Sequence, residues 1–447
     1  MPTRRLHRIA AAGLSIATLV GGLAAPARAQ LLSPSAPTED ANGHQSSAKV
    51  TQDLSTSGAD PGNGANDVAD SYQPKGIEYG EFLIFPKVEL NETYNSNVYA
   101  TPSDVKGDFI TTIQPQIDLR SRFAEHELDF SFLAKEQVFA TYTLNNTLDL
   151  SATVNGRYDI TREAQATYYG QVFSGHEDRG SPDDAHGREP TPTTGSINQF
   201  EVKDQLGRVT IGGGVALNRY EFGNVDTTVG TTVDNSDRNR WELSSHQRVS
   251  YELFPGYAAV ADISENTHVF DVSSDRNGFN RNSSGYAAQT GVAVDVSQLV
   301  RGDFLVGYFA QDYRDSRLRS PSGVSASAVF NWTPSKLTLI VPALQRSSSD
   351  TTIDGAGALV ETLGSLTVRH ELQRNIILTG YTSVAYDQYS GYSAQNATTY
   401  TARARLIYAF TPELYAGGEL SYVDKVSRTL SVGYQQTTAM LKLGLQY

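Results

Sequence analysis

Seven residues able to hold a cation or move a proton fall in one polar stretch at 174–195, SGHEDRGSPDDAHGREPTPTTG: His176, Glu177, Asp178, Asp183, Asp184, His186 and Glu189. Carboxylates gathered in this way suit a hard cation such as Ca²⁺. With the two histidines they could also form a surface acid–base pair for hydrolysis. The spacing does not match a twelve-residue calcium loop, and an acid-rich loop is ordinarily just solvated. The longest connector in a chain can also fold inward and narrow an interior. His176, Asp178, Asp183, Asp184 and His186 are therefore carried forward as a candidate constriction or cation-binding loop, with no metal and no cofactor assigned.

Other chemistry is scarce. The chain has no G-x-S-x-G nucleophile motif, no H-E-x-x-H zinc motif and no phosphate-cradling G-x-x-x-x-G-K. His370-Glu371 is followed by Arg374 where a zinc site needs histidine. The expectation is that the protein is not an enzyme.

A second set of charged residues is more informative because it alternates with apolar ones. Asp118, Arg120 and Arg122 oppose Ile117, Leu119 and Phe123. Glu242, His246, Arg248 and Glu252 oppose Trp241, Leu243, Val249, Tyr251 and Leu253. Arg369, Arg403, Arg405, Glu419 and Lys442 stand in similar registers. An Arg or Lys turned toward lipid from such a segment costs roughly 2–4 kcal/mol at the bilayer midplane. These side chains must line an interior. Arg120, Arg122, Arg248, Arg369, Arg403, Arg405, Glu419 and Lys442 are the predicted lumen-lining residues. They either bind anionic or polyhydroxylated solutes or pair across the lumen and brace it, and both roles can hold at once.

The elements that must position them are strands. From about Phe82 the apolar residues recur with period 2 over segments of 10 to 16 residues, as in TLDLSATV and YTARARLIYAF, the mark of strands with one apolar face. Very short connectors (AEHE, TREA, FPGY, WTPSK, LQRN, FTPE) alternate with long polar ones near 174–195, 222–239, 273–285 and 346–357. Eighteen strands fit between them. The predicted fold is an all-β transmembrane antiparallel barrel with short periplasmic turns and long extracellular loops. A soluble sandwich or propeller fits less well, because these strands exceed the usual ~5–6 residues.

Composition agrees. Arg4, Arg5 and Arg8, an apolar run from Ile9 to Ala25, and Ala27-Arg28-Ala29 read as a secretory signal over residues 1–29. Residues 30–80, with almost no aromatics, read as a disordered periplasmic tail, and residues 81–447 as the barrel. Without the signal the chain carries 32 basic and 49 acidic residues, a net charge of −17, so nucleic acid is not an expected partner. The absence of cysteine excludes thiolate metal sites and disulfides. Tyrosine (24), phenylalanine (17) and glycine (38) suit barrel walls with aromatic girdles.

The chain ends in TTAMLKLGLQY, with Leu441, Leu443, Leu445 and Tyr447 on one register and Lys442 on the other. In hydrocarbon every backbone amide needs a partner, so the sheet must close. The last strand is expected to pair with the first, its apolar face toward outer-membrane lipid. Leu443, Leu445 and Tyr447 are the expected recognition signal for barrel-assembly machinery.

The opening of the barrel region, FLIFPKVELNETYNSNVYATPSDVKGDFITTIQPQIDLRSRF, resembles the β-barrel porin type 2 family of Gram-negative outer-membrane proteins. Pro86, Tyr94, Asn95, Asn97, Tyr99, Asp108, Pro115 and Leu119 carry the likeness. It implies an outer-membrane barrel and, since members accompany exopolysaccharide export machinery, a saccharide conduit with polysaccharide-export components as partners. An eighteen-stranded barrel is wide enough for water, so the expected function is a porin-like channel for saccharides or other hydrophilic solutes. The competing expectation is a surface-binding or adhesive barrel acting through its loops, with an outer-membrane hydrolase behind it.

Overall fold

The structure is a computed structural model that describes residues 72–447 apart from 228–229, 297–298 and 430–431. The segment read as a signal, and residues 30–71 of the segment read as a tail, lie outside the described residues. The last part of that supposed tail is ordered: Ile77–Tyr79 forms a short strand against Phe82–Ile84.

Eighteen long strands build the wall. The first six are Phe82–Asn95, Asp108–Ser121, Glu127–Phe139, Thr147–Asp159, Ala164–His176 and Pro192–Leu206. The next six are Val209–Phe222, Arg240–Phe254, Tyr257–Phe270, Ser283–Val296, Val300–Tyr313 and Ser322–Ser335. The last six are Thr338–Asp350, Ala358–Gln373, Ile376–Tyr389, Ala397–Ala409, Leu414–Ser427 and Tyr434–Gln446. Each pairs antiparallel with its sequence neighbours, and the last pairs with the first from Thr438↔Asn95 to Gln446↔Lys87. The Tyr447 amide adds one more bond, donating to the Pro86 carbonyl at 3.0 Å. Among the described residues, each of the eighteen long strands is thus paired on both sides, as a wall in hydrocarbon requires.

Two rims result. At one rim the turns are short, and four of them span only two residues: 207–208, 255–256, 336–337 and 374–375. The Pro255-Gly256 turn depends on glycine, since Gly256 has φ +83° and an added Cβ would lie 2.7 Å from the Asp295 carbonyl oxygen. At the other rim the connectors are long: 96–107, 177–191, 223–239, 271–282, 314–321 and 351–357 among them.

Alternation sets the two faces of the wall. Leu243, Val249, Tyr251, Leu406, Leu420, Leu441, Leu443 and Leu445 are exposed on the outside, while Glu242, Thr367, Glu371 and Ser421 are buried on the lumen side. Tyr94, Phe109, Trp241 and Tyr286 stand outward toward the long-loop rim, and Phe254, Tyr257, Trp332 and Phe410 toward the short-turn rim. These are the two interfacial girdles of a membrane barrel. The wall is locally irregular at Pro115, which has no N–H to donate: the ladder skips from Ile113↔Glu136 to Gln116↔Leu133.

The two faces of the last strand make a direct comparison possible. Leu441→Arg should destabilise the barrel by about 2–4 kcal/mol in lipid, while Met440→Arg, one residue away but facing the lumen, should cost far less. Urea unfolding in vesicles measures both; equal losses would mean the register is misread.

Candidate pore and its loop cap

The lumen face brings five of the predicted cations to carboxylates. Arg248 on the eighth strand pairs with Asp303 on the eleventh at 2.7 Å. Arg369 lies 3.3 Å from Glu371 two residues along. Arg403 and Arg405 both reach Glu419, at 3.4 and 2.6 Å, and the Arg403 guanidinium lies 5.8 Å from the Tyr381 ring. Arg120 sits over the Phe85 ring at 4.5 Å. Arg122 is the exception. It lies just past the end of its strand and pairs with Glu78 of the short N-terminal strand at 3.1 Å, so it marks the short-turn rim instead of the lumen wall. Its parity is right, but the strand ends at Ser121.

Lys442 belongs to a cluster at the closing seam. Glu89 on the first strand accepts from Lys442 on the last and from Lys87, each at 2.8 Å. The Tyr415 hydroxyl also donates to Glu89. Gly444 makes this possible, because the Tyr415 ring lies over it where any Cβ would collide with the ring. A wall side chain in low dielectric needs its charge matched, and here the matching partners tie the last strand to the first.

At the opposite rim the loop at 177–191 crosses the mouth of the barrel. It is rooted between the fifth and sixth strands. Yet Lys425, on the lumen face of the seventeenth strand, donates to the Gly180 carbonyl at 3.3 Å, and the Tyr434 ring packs on Gly180. Arg179 reaches the Asn145 side chain at 3.0 Å and the Gly187 carbonyl at 2.8 Å. Its base is held by Glu177, fully buried, in a bidentate pair with Arg238 of the 223–239 loop at 2.7 and 2.8 Å. The 271–282 and 351–357 loops lock together beside it: Arg281 bonds Asp275 at 2.5 Å and the Ala356 carbonyl at 2.9 Å.

The five loop residues singled out from sequence do not meet at one point. His176 lies 2.6 Å from Asp149 and 3.7 Å from Asp178. Asp183 accepts from Thr351 at 2.7 Å and from the Thr352 amide at 3.3 Å. Asp184, buried, pairs with His186 at 3.1 Å and lies 4.0 Å from Arg179. His186 has φ +49° and is largely exposed. The arrangement braces a loop and offers no common cation position among these residues.

The Asp184–His186 pair has a pH signature. Burial pushes the Asp184 carboxyl up, but the hydrogen bond and charge of His186, with Arg179, hold it below the usual range. The hydrogen bond to Asp184 in turn lifts His186 above 6.5. The histidine's contribution to loop anchoring is complete below pH 6.5 and fades as pH rises through its raised value. The carboxylate's is complete above pH 3.8 and fades as pH falls through its lowered value. His186 should therefore titrate above 6.5 by NMR in the refolded barrel and drop toward 6.5 in Asp184→Asn. An unshifted His186 in the wild type would sink the pairing.

Sequence reasoning does not find Arg179, Arg238, Arg281 or Asn145 as cap residues. Their partners lie far along the chain, and no local pattern marks them.

A closed antiparallel barrel with an apolar outer face, two aromatic girdles and a charged, polar interior is a channel-type barrel of the Gram-negative outer membrane. The chain belongs to the family described as "Putative beta-barrel porin 2", which matches residues 70–447. No curated protein matches it. Among solved structures it is similar to the outer membrane protein OpdK from Pseudomonas aeruginosa (10% identity, TM-score 0.40, 81% of this chain and 99% of that one). It is also similar to a BenF-like porin from Pseudomonas fluorescens (11%, 0.41, 81% and 99%) and to OccAB3 from Acinetobacter baumannii (10%, 0.42, 83% and 100%).

Proposed function

We propose that this porin-like barrel passes polyhydroxylated solutes, saccharide chains above all, with its long loops outside the cell and its short turns in the periplasm. The observation that carries the reading is the neutralised lumen. Arg248, Arg369, Arg403, Arg405 and Lys442 each lie against a carboxylate at 2.6 to 3.4 Å. Paired charges fix donors and acceptors in place while cancelling most of the field that would select a small ion. Hydroxyl-rich solutes exchange hydrogen bonds with such a lining at little net cost. Tyr381 beside Arg403 offers them an aromatic face. The 177–191 loop serves as the constriction, setting the size limit from the long-loop side.

Osmotic swelling of vesicles containing the full-length barrel tests this. Neutral oligosaccharides should enter faster than organic anions or cations of the same size. Faster entry of either ion class would replace the saccharide reading with a charge-selective one.

A further inference from the structure

We propose that the upper lumen holds a divalent transition-metal site formed by Glu242, His268 and Asp350. The three come from the eighth, ninth and thirteenth strands, and each supplies one ligand atom within 4.8 Å of the others. Glu242 and His268 follow the lumen register of their strands. Asp350, at the end of its strand, joins them and also accepts from the Tyr313 hydroxyl of the eleventh strand at 3.2 Å.

The second observation is what the hydrogen bonding leaves unanswered. His268 Nδ1 and Asp350 Oδ2 approach to 2.6 Å, yet neither makes an aligned hydrogen bond and both atoms are buried. The Asp350 side chain is only 7% exposed. Asn266 Oδ1, two residues before His268 on the same face, is likewise buried with no hydrogen-bond partner. Buried polar atoms without an aligned hydrogen bond are costly, and His268 Nδ1 and Asp350 Oδ2, an ion pair at 2.6 Å without that alignment, point to a species they could share.

Charge balance favours a cation. Glu242 and Asp350 bring two negative charges, and Arg240, 2.6 Å from Glu242 and 3.6 Å from Asp350, returns one. With His268 neutral, as ligation requires, one negative charge is left over. One imidazole and two carboxylates suit Zn²⁺ and its neighbours better than Ca²⁺ or Mg²⁺, which prefer six or more oxygens. A bound ion would clamp the wall directly beneath the interlocked loops. The alternative occupant is a proton on His268, which would satisfy Asp350 without metal.

Equilibrium dialysis of the refolded full-length barrel against Zn²⁺ decides between them, with Co²⁺ absorption as a second readout of nitrogen and oxygen ligation. One equivalent should bind, millimolar Ca²⁺ and Mg²⁺ should not displace it, and His268→Ala should weaken it at least tenfold. Glu242→Gln, isosteric and able to keep its wall packing, should do the same, while His126→Ala, at the short-turn rim where its ring stacks on Tyr158, should leave binding unchanged. Far-UV circular dichroism and heat-modified mobility confirm that each variant is folded. Absence of stoichiometric Zn²⁺, displacement by Ca²⁺, or undiminished binding in both folded site variants would overturn the site and leave the protonated histidine as its occupant.

Discussion

Arg238→Ala is expected to release the loop cap and raise single-channel conductance. The Glu177–Arg238 pair is deeply enclosed: the Glu177 side chain is 0% exposed and that of Arg238 4%. The guanidinium also lies 4.0 Å from the Phe222 ring, and Ser181 donates to the same Glu177 oxygen that one arm of the fork engages. Removing the arginine leaves a carboxylate buried without its counterion, at a cost of about 3–5 kcal/mol. The wall does not depend on this pair, so relief comes by freeing the 177–191 loop and hydrating Glu177. Conductance should rise and fluctuate more, with far-UV circular dichroism unchanged. The double change Glu177→Leu with Arg238→Met should recover much of the stability, because apolar side chains of similar volume remove the stranded charge. A single variant with wild-type conductance and wild-type unfolding would show that the pair does not hold the loop.

The second large effect concerns the end of the chain. Deleting Tyr447 should lower the amount of protein assembled in the outer membrane severalfold, while synthesis and export are unaffected. Tyr447 makes the last backbone bond of the closing seam, to Pro86, and its side chain is 54% exposed on the same outer face as Leu443 and Leu445. The deletion shortens the seam and removes one girdle aromatic together with the expected assembly signal. Replacing Tyr447 by Phe keeps the ring and the backbone bond and should assemble normally. Cell fractionation with heat-modified mobility measures both; full assembly of the deletion would separate the terminal residue from the assembly step.

How much of the molecule is legible in its residues follows the range of the forces involved. Period-2 alternation is local and repeated, so the strand count and the two faces of the wall can be read directly. WELSSHQRVSYEL, for instance, holds one register from Trp241 to Leu253. The closing partner of Lys442 is implied by closure itself. Arg122 departs from expectation because parity does not say where a strand stops. The ordered Ile77–Tyr79 strand escapes notice because three residues carry no periodicity. The cap is illegible for a different reason. Its contacts join Glu177 to Arg238 across 61 residues, Asp183 to Thr351 across 168, and Gly180 to Lys425 across 245. Loops lack a repeating pattern, so only the folded wall decides which of them face each other. Reading 174–195 as one ligand cluster joins residues by sequence proximity that the structure distributes among Asp149, Thr351 and Arg179.

Planar-bilayer recording of the refolded full-length barrel tests the central claim most directly, with the 177–191 loop intact and with it replaced by a short glycine-serine link. A channel narrowed by that loop should give discrete conductance steps that grow when the loop is shortened. A barrel that stays silent in both forms would contradict the reading of this protein as a conduit.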